Sequence, residues 1–267
     1  MRSRYYKSNH GYWKMLDPKN EFRILVLSIC FFVAIYTVVC LTLFRRWKGR
    51  KRQRAASCCI SLVHGTISAT LAAHDMACRR SSASWKLDAR NSSFQNGVME
   101  FSMAYFLVDL LHYLYAVPDD YLFIGHHIST LTYMLSCRYF TRHGATSVMY
   151  LIAVGEATTP LQCVWNLSRM AREDHRLAMQ IYTFLSPIFT VIFTFVRGCL
   201  GPYLLWKLSS FYLRGQSSSS VIPRWLAYFW MLKAALAVVG SLLWVYKLWV
   251  GLFKFYTQKQ YEVRKVE

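Results

Sequence analysis

Acidic residues are scarce in this chain: 13 Asp and Glu stand against 32 Lys and Arg among 267 residues, a formal net charge of +19. Proline and glycine are also few, 6 and 12, which excludes collagen-like and Pro/Gly-rich disordered chains. The eight cysteines (Cys30, Cys40, Cys58, Cys59, Cys78, Cys137, Cys163, Cys199) contain no CxxC pair and fall mainly inside apolar stretches. That argues against a secreted cystine framework or a zinc ribbon, and the cysteines read as packing residues. No internal repeat and no separate soluble domain is visible. What is abundant is apolar surface, 55% hydrophobic and 16% aromatic residues. It is gathered in blocks of about twenty, the length an α-helix needs to cross roughly 30 Å of hydrocarbon. In a soluble protein such a positive charge would suggest nucleic acid. Here the cations lie between apolar blocks, so no nucleic-acid partner is expected and they read as juxtamembrane charge facing anionic headgroups.

Seven spans are expected, over residues 24–44, 55–73, 97–117, 122–139, 146–166, 179–205 and 225–250. The first is too long for a signal-peptide core and has no small-residue cleavage site after it, so it is expected to stay as a signal anchor. Between it and the second lies RRWKGRKRQR, residues 45–54, with seven positive charges in ten positions. The chain therefore divides into an N-terminal segment with anchor and basic loop (1–54), a membrane domain (55–255) and a basic tail (256–267). With seven spans the termini lie on opposite sides. Lys and Arg are nearly balanced between the two faces, and the density at 45–54 favours placing that loop in the cytosol. The sequon Asn91-Ser92-Ser93 would then be lumenal. The terminal Arg264-Lys265-Val266-Glu267 would be a cytosolic dibasic tail of the kind that returns membrane proteins to the endoplasmic reticulum.

An ionisable group at mid-bilayer costs about 2.5 to 3.5 kcal/mol on insertion scales, so such groups inside spans point to function. The third span carries Glu100, Asp109 and His112, the fourth His126 and His127, the fifth Glu156, Gln162 and Asn166, the sixth Gln180 and Arg197, and the seventh Lys233. At about 1.5 Å per residue, Asp109, His112, His126 and His127 all lie within roughly 12 Å of the Pro118-Asp119-Asp120 turn. Gln162, Asn166 and Gln180 reach the same side, with Glu156 nearer the middle. Asp109 and His112 share a helix face, whereas Glu100 points the other way and reads as a helix-start residue near the interface. His126 and His127 differ by about 100° of rotation, so one can face the interior while the other pairs with a neighbouring span. Pro160 cannot donate to the Glu156 carbonyl, which predicts a bend at that acid, and Pro187 predicts another in the sixth span. His64 and Lys233 read as packing and interface residues respectively. Interhelical hydrogen bonding, worth about 0.6 kcal/mol on average, is the competing explanation for Gln162, Asn166 and Gln180.

The ordered segments FQNGVMEFSMAYFLVDLLHYL, YLFIGHHISTLTYMLSCRYF, GEATTPLQCVWNL and FLSPIFTVIFTFVRGCLGP resemble the TLC-domain family of endoplasmic-reticulum membrane proteins, which includes the ceramide synthases. The likeness spans about residues 55–255 and looks closest to plant TLC-domain-containing proteins. The resemblance implies an all-α polytopic membrane protein, with six spans in a barrel-like bundle around a cavity and one helix preceding them. Ceramide synthases share the His-His, here His126 and His127, but carry a second His-Asp about 28 residues on. This chain has Val154-Gly155-Glu156 there. It resembles instead the branches with one carboxylate followed by a Thr/Ser-Pro kink, whose members are linked to lipid homeostasis.

Three functions follow as expectations. The first is lipid binding or sensing in an intramembrane cavity, with membrane lipids as partners. The second is acyl transfer from acyl-CoA, as co-substrate rather than cofactor, with His126 and His127 as candidate catalytic residues, Asp109 or Glu156 orienting the ring, and the basic loop attracting the CoA phosphates. The third is proton-coupled transport through the buried His and carboxylates. Asp109, His112, Glu156, Gln162, Asn166 and Gln180 are the candidate substrate-binding set. No bound cofactor or metal is expected, because the histidines lack the HxxxH and HxxHH clusters of a membrane di-iron site. A homodimer is compatible with all three.

Overall fold

The computed structural model describes residues 22–79, 86–214 and 221–266, with side chains described as far as Thr257. The helices are α1 (Arg23–Leu41), α2 (Gly49–Arg79), α3 (Ser93–Ala116), α4 (Tyr121–Leu135), α5 (Ala145–Glu156), α6 (Thr159–Ala171), α7 (Arg176–Phe193), α8 (Gly201–Leu213) and α9 (Arg224–Val266). Two π-helical turns extend them, Ser136–Thr141 after α4 and Thr194–Leu200 joining α7 to α8. Counted as continuous or paired rods these make seven. Four are long and apolar enough to cross a membrane by composition alone: Arg23–Leu41, Gly49–Arg79, Arg176–Leu213 and Arg224–Thr257. Of the other three, α3 carries polar groups along its length, and α4, α5 and α6 are 15, 12 and 13 residues long, each too short to cross on its own as a continuous α-helix. The protein is an all-α polytopic membrane protein.

Local chemistry sets the helix ends. Ser92 caps α3 in a reciprocal box: its Oγ accepts from Gln95 N and its own N–H donates to Gln95 Oε1, both at 3.1 Å. After α4, Arg142 and Gly144 reverse the chain with φ of 58° and 92°. A side chain at Gly144 would also meet the Trp230 ring at 2.9 Å, so both backbone and packing require glycine there. The expected fifth span is two half-helices. α5 stops at Glu156 and α6 begins at Thr159 with Pro160 in its first turn, so the helical hydrogen bonding is interrupted for two residues at the acid while Ala157 and Thr158 keep right-handed dihedrals.

Pro187 lies inside α7, which continues through it. A widened turn follows at Thr194–Leu200, just ahead of Pro202. Proline lacks the N–H that would bond Gly198, and Gly201 N–H reaches back to Val196 O, widening the coil. Glu100 is not an interface residue. It is 2% exposed, and Arg138, raised on the first π turn, donates to its Oε1 through Nε and Nη2, both at 2.8 Å.

The two faces of the bundle differ. On one, Asn91 donates from Nδ2 to Cys137 O (3.0 Å) and accepts at Oδ1 from Ala145 N (2.9 Å), bracketing the loops before α3 and α5. Trp230 stacks on Tyr133 and donates to Ser136 Oγ, and Tyr212 donates to Leu87 O, so this face is closed by packing. On the other, the expected basic loop is half helical, because α2 starts at Gly49. Arg50 pairs with Asp119 (3.1 Å) and Lys51 with Asp174 (2.7 Å), which puts the basic segment, the α3–α4 turn and the α6–α7 turn on one side. The Lys51 ammonium holds the exposed Asp174 carboxyl below its ordinary pKa.

Candidate functional site

A cavity of about 520 Å³ runs inward from that second face between α2, α3, α4, α6 and α9. Its outer rim carries Arg54, Asp120, Asn166 and Arg169. Apolar walls come from α9, through Leu236, Val239, Leu243 and Trp244. Of the residues expected in the site, Asp109, His126, His127, Glu156, Gln162 and Asn166 all line this space. Two do not. His112 turns to α1, where its Nδ1 meets the Tyr36 hydroxyl at 3.0 Å, and Gln180 is exposed near the start of α7.

At the centre is Asp109, 1% exposed, on which three donors converge. Ser57 Oγ donates to Oδ1 (2.7 Å), and Tyr105 OH (3.2 Å) and His127 Nε2 (2.9 Å) approach Oδ2. The opposite ring nitrogen, His127 Nδ1, faces the Phe123 carbonyl at 2.8 Å. A carbonyl only accepts, so Nδ1 carries a proton, and Nε2 shares its hydrogen bond with the Asp109 carboxyl. His127 therefore uses both ring nitrogens and cross-links α4 to α3. His126, one position before it, takes the other course that their rotation allows. Its ring stands at 89° to that of His127, lines the cavity, and has no hydrogen-bond partner among the described residues.

Deeper in, Glu156 sits at the α5–α6 break. Thr159 Oγ1 donates to its Oε2 (2.8 Å), and His64 Nδ1 lies 3.8 Å from the same atom. Arg197, presented by the second π turn, donates from Nη2 to the Gly155 carbonyl and from Nε to Thr158 Oγ1 (3.4 Å). It thus occupies the backbone acceptor just before the break. Beyond His126, Glu156 and Arg197 lies a smaller chamber of about 110 Å³, walled by Met134, Val148, Leu151, Ile152 and Leu204. Lys233 lends its stem to that chamber, with Nζ 4.9 Å from the centre of the Phe229 ring.

Sequence reasoning missed Ser57, Ser61, Tyr105, Arg54 and Arg169. One signal was available. Ser57, Ser61, His64, Ser68 and Asp75 recur at helical spacing and form a polar stripe down α2, directed inward. His64 belongs to that stripe: it is fully buried and stacks on Tyr105 with ring centres 4.0 Å apart. Cys58 and Cys163 line the cavity instead of merely filling core, while Cys30, Cys78 and Cys199 are exposed. Among the described residues no group of three or more His, Cys, Asp or Glu has the arrangement to hold a metal ion.

The arrangement is that of an amphipathic binding site, with ionic groups at the rim, hydrogen-bonding groups at mid-depth and apolar walls beyond. The TLC domain model matches residues 54–250, which takes in every cavity-lining helix. The chain is 39% identical over 231 residues to a TLC domain-containing protein of Arabidopsis thaliana, an alignment covering 86% of this chain and 89% of that relative. With its family model, its relative and its helical cavity in agreement, the chain belongs to the TLC-domain family of membrane proteins.

Proposed function

We propose that this protein binds a membrane lipid in the central cavity and acts in lipid homeostasis by binding or sensing rather than by making ceramide. The observation that carries this reading is the polarity gradient of the cavity, from Arg54 and Arg169 at the rim to the apolar chamber behind Glu156. The chain also lacks a second His-Asp: Gly155 and Glu156 stand there, and Glu156 is engaged by Thr159. His127 has both nitrogens committed to Phe123 and Asp109, which suits a cross-link better than a nucleophile. The family resemblance supports residence in the endoplasmic reticulum, and the charge density at residues 45–54 supports the Arg50–Asp119 face toward the cytosol.

One observation favours acyl transfer as the second reading. The His126 ring lines the cavity with no hydrogen bond among the described residues, which is the state of a base or acyl acceptor waiting for substrate. Lipid mass spectrometry on the detergent-purified protein, with intact-mass measurement, separates the two. A non-covalent lipid on the wild type, retained in part by the His126→Ala variant and with no mass added to the chain, supports binding. An acyl adduct that disappears in His126→Ala would replace it with transfer.

A further inference from the structure

The cations at the start of α2 are not treated alike by the fold. Arg50 and Lys51 each meet a carboxylate, Asp119 and Asp174. Arg52, next in the same turn, has no ion pair among the described residues, and its Nε is buried there without a hydrogen-bond partner. The side chain is half-buried and lies close enough to the Tyr36 hydroxyl and the Cys40 thiol of α1 to bear on the charge of both. Tyr36 extends the contact to α3, where its hydroxyl meets His112 Nδ1 at 3.0 Å. His112 Nε2, on a side chain that is itself buried, is unpartnered as well. One corner between α1, α2 and α3 thus holds two sequestered polar atoms and a guanidinium without an anion. Withdrawing a cation from water with no counter-charge is costly, and the guanidinium fork matches phosphate oxygens.

Depth selects the source of that anion. Arg52 is three residues from the start of α2, His112 four from the end of α3 and Tyr36 five from the end of α1. At about 1.5 Å per residue all three lie within roughly 8 Å of the helix ends on the Arg50–Asp119 face, the level of lipid headgroups and the first acyl carbons. Within a turn of them Val33 on α1 and Leu111 and Tyr115 on α3 are exposed, an outer surface suited to acyl chains. Arg45, Arg46 and Lys48, in the elbow between α1 and α2, are exposed and form no ion pair among the described residues. Their charge disfavours a choline or ethanolamine headgroup at the same level. The elbow is held by Trp47, which stacks on Phe44 and lies under the Lys51 ammonium, 4.5 Å from its ring centre.

We infer that this corner, outside the central cavity, binds one anionic phospholipid, with its phosphate between Arg52 and the Tyr36–His112 pair and its chains along the outer faces of α1 and α3. The lipid ties the anchor helix α1 to the bundle. The site stands whether or not the central cavity binds a lipid of its own.

The test uses the full-length protein in detergent with three probes: dioleoyl phosphatidic acid, whose headgroup is phosphate alone, dioleoyl phosphatidylcholine, and glycerol 3-phosphate. Native mass spectrometry should show one phosphatidic acid retained at concentrations where the other two are not. Arg52→Gln should lower that retention about tenfold, the loss of one charged hydrogen bond. Arg52→Lys, which keeps the charge and loses the fork, should lower it about threefold. The double variant Arg45→Gln, Arg46→Gln removes twice the charge and should leave retention within about twofold, as should Arg169→Gln at the cavity rim. Phosphatidic acid should also raise the thermal midpoint of the wild type and not that of Arg52→Gln. Equal losses from the 45–46 double variant and from Arg52→Gln would reduce the site to diffuse charge attraction and overturn it. Loss in Arg169→Gln alone would move the lipid to the cavity vestibule and overturn it too. Equal retention of phosphatidylcholine, or of glycerol 3-phosphate, would remove the anionic-lipid assignment. If Arg52→Gln does not fold, Arg52→Lys against the 45–46 double variant carries the test.

Discussion

Asp109 gathers the hydroxyls of Ser57 and Tyr105 and the ring of His127, so side chains from α2, α3 and α4 meet on one carboxylate. Removing it strands His127, whose second nitrogen remains fixed by Phe123. Breaking a buried pair from one side costs about 3 to 5 kcal/mol. Asp109→Ala should therefore lower the thermal midpoint in detergent by about 5 °C or more, followed by circular dichroism. His126→Ala removes a ring that packs edge-on against Phe106 with no hydrogen bond among the described residues, and should leave that midpoint within about 2 °C while reducing lipid occupancy. A large loss of stability from His126→Ala would mean that its role is structural and that the open ring is not the ligand-facing one. Tyr105 lies between these cases. As phenylalanine it would keep its stack on His64 but lose the hydroxyl shared with Ser61 and Asp109, at a cost of about 1 kcal/mol.

Between elements, the tightest fit is α2 against the start of α6. A Cβ on Gly65 would lie 2.7 Å from the Thr159 side chain and 3.3 Å from Glu156 Oε2. Gly65→Ala must displace the residue that holds Glu156, so it should destabilise by about 1 to 3 kcal/mol and reduce lipid retention together, measured on one preparation. Loss of stability with normal lipid retention would separate Glu156 from the ligand. This junction also explains what could be seen in the sequence. Asp109, His127, Glu156, Gln162 and Asn166 were visible because helix rise and rotation place them at one depth and on inward faces. His112 was misplaced because its angle fits the cavity equally well, and only the packing of α1, with Tyr36, draws it aside. Glu100 was misplaced because Arg138 is 38 positions away and reaches it through a widened turn that no local pattern announced. Gln180 failed because it was placed by depth alone, and the face of α7 on which it stands is exposed.

For the whole molecule, the contrast between a packed face and an open, basic one leads to a test of sidedness. The sequon was expected to carry a glycan on the lumenal face, yet both ends of the Asn91 amide are used inside the fold, by Cys137 O and Ala145 N. A glycan on Nδ2 would break that bracket, so the folded protein should show no mobility shift on endoglycosidase treatment, and Asn91→Ala should lower stability rather than remove a sugar. Sidedness therefore needs another label. Asp119 and Lys86 are exposed on opposite faces, Asp119 in the turn beside the basic segment and Lys86 in the loop before α3. With exposed native cysteines replaced, Asp119→Cys should react with an impermeant maleimide in sealed, cytosol-side-out microsomes, and Lys86→Cys only after detergent. This outcome opens the Arg54 and Arg169 rim to the cytosol, where water-soluble acyl carriers and cytosolic lipid-transfer partners reach it. The reverse labelling would turn the same rim to the lumen and remove cytosolic acyl-CoA as a co-substrate altogether, leaving lipids of the lumenal leaflet as the ligands within reach.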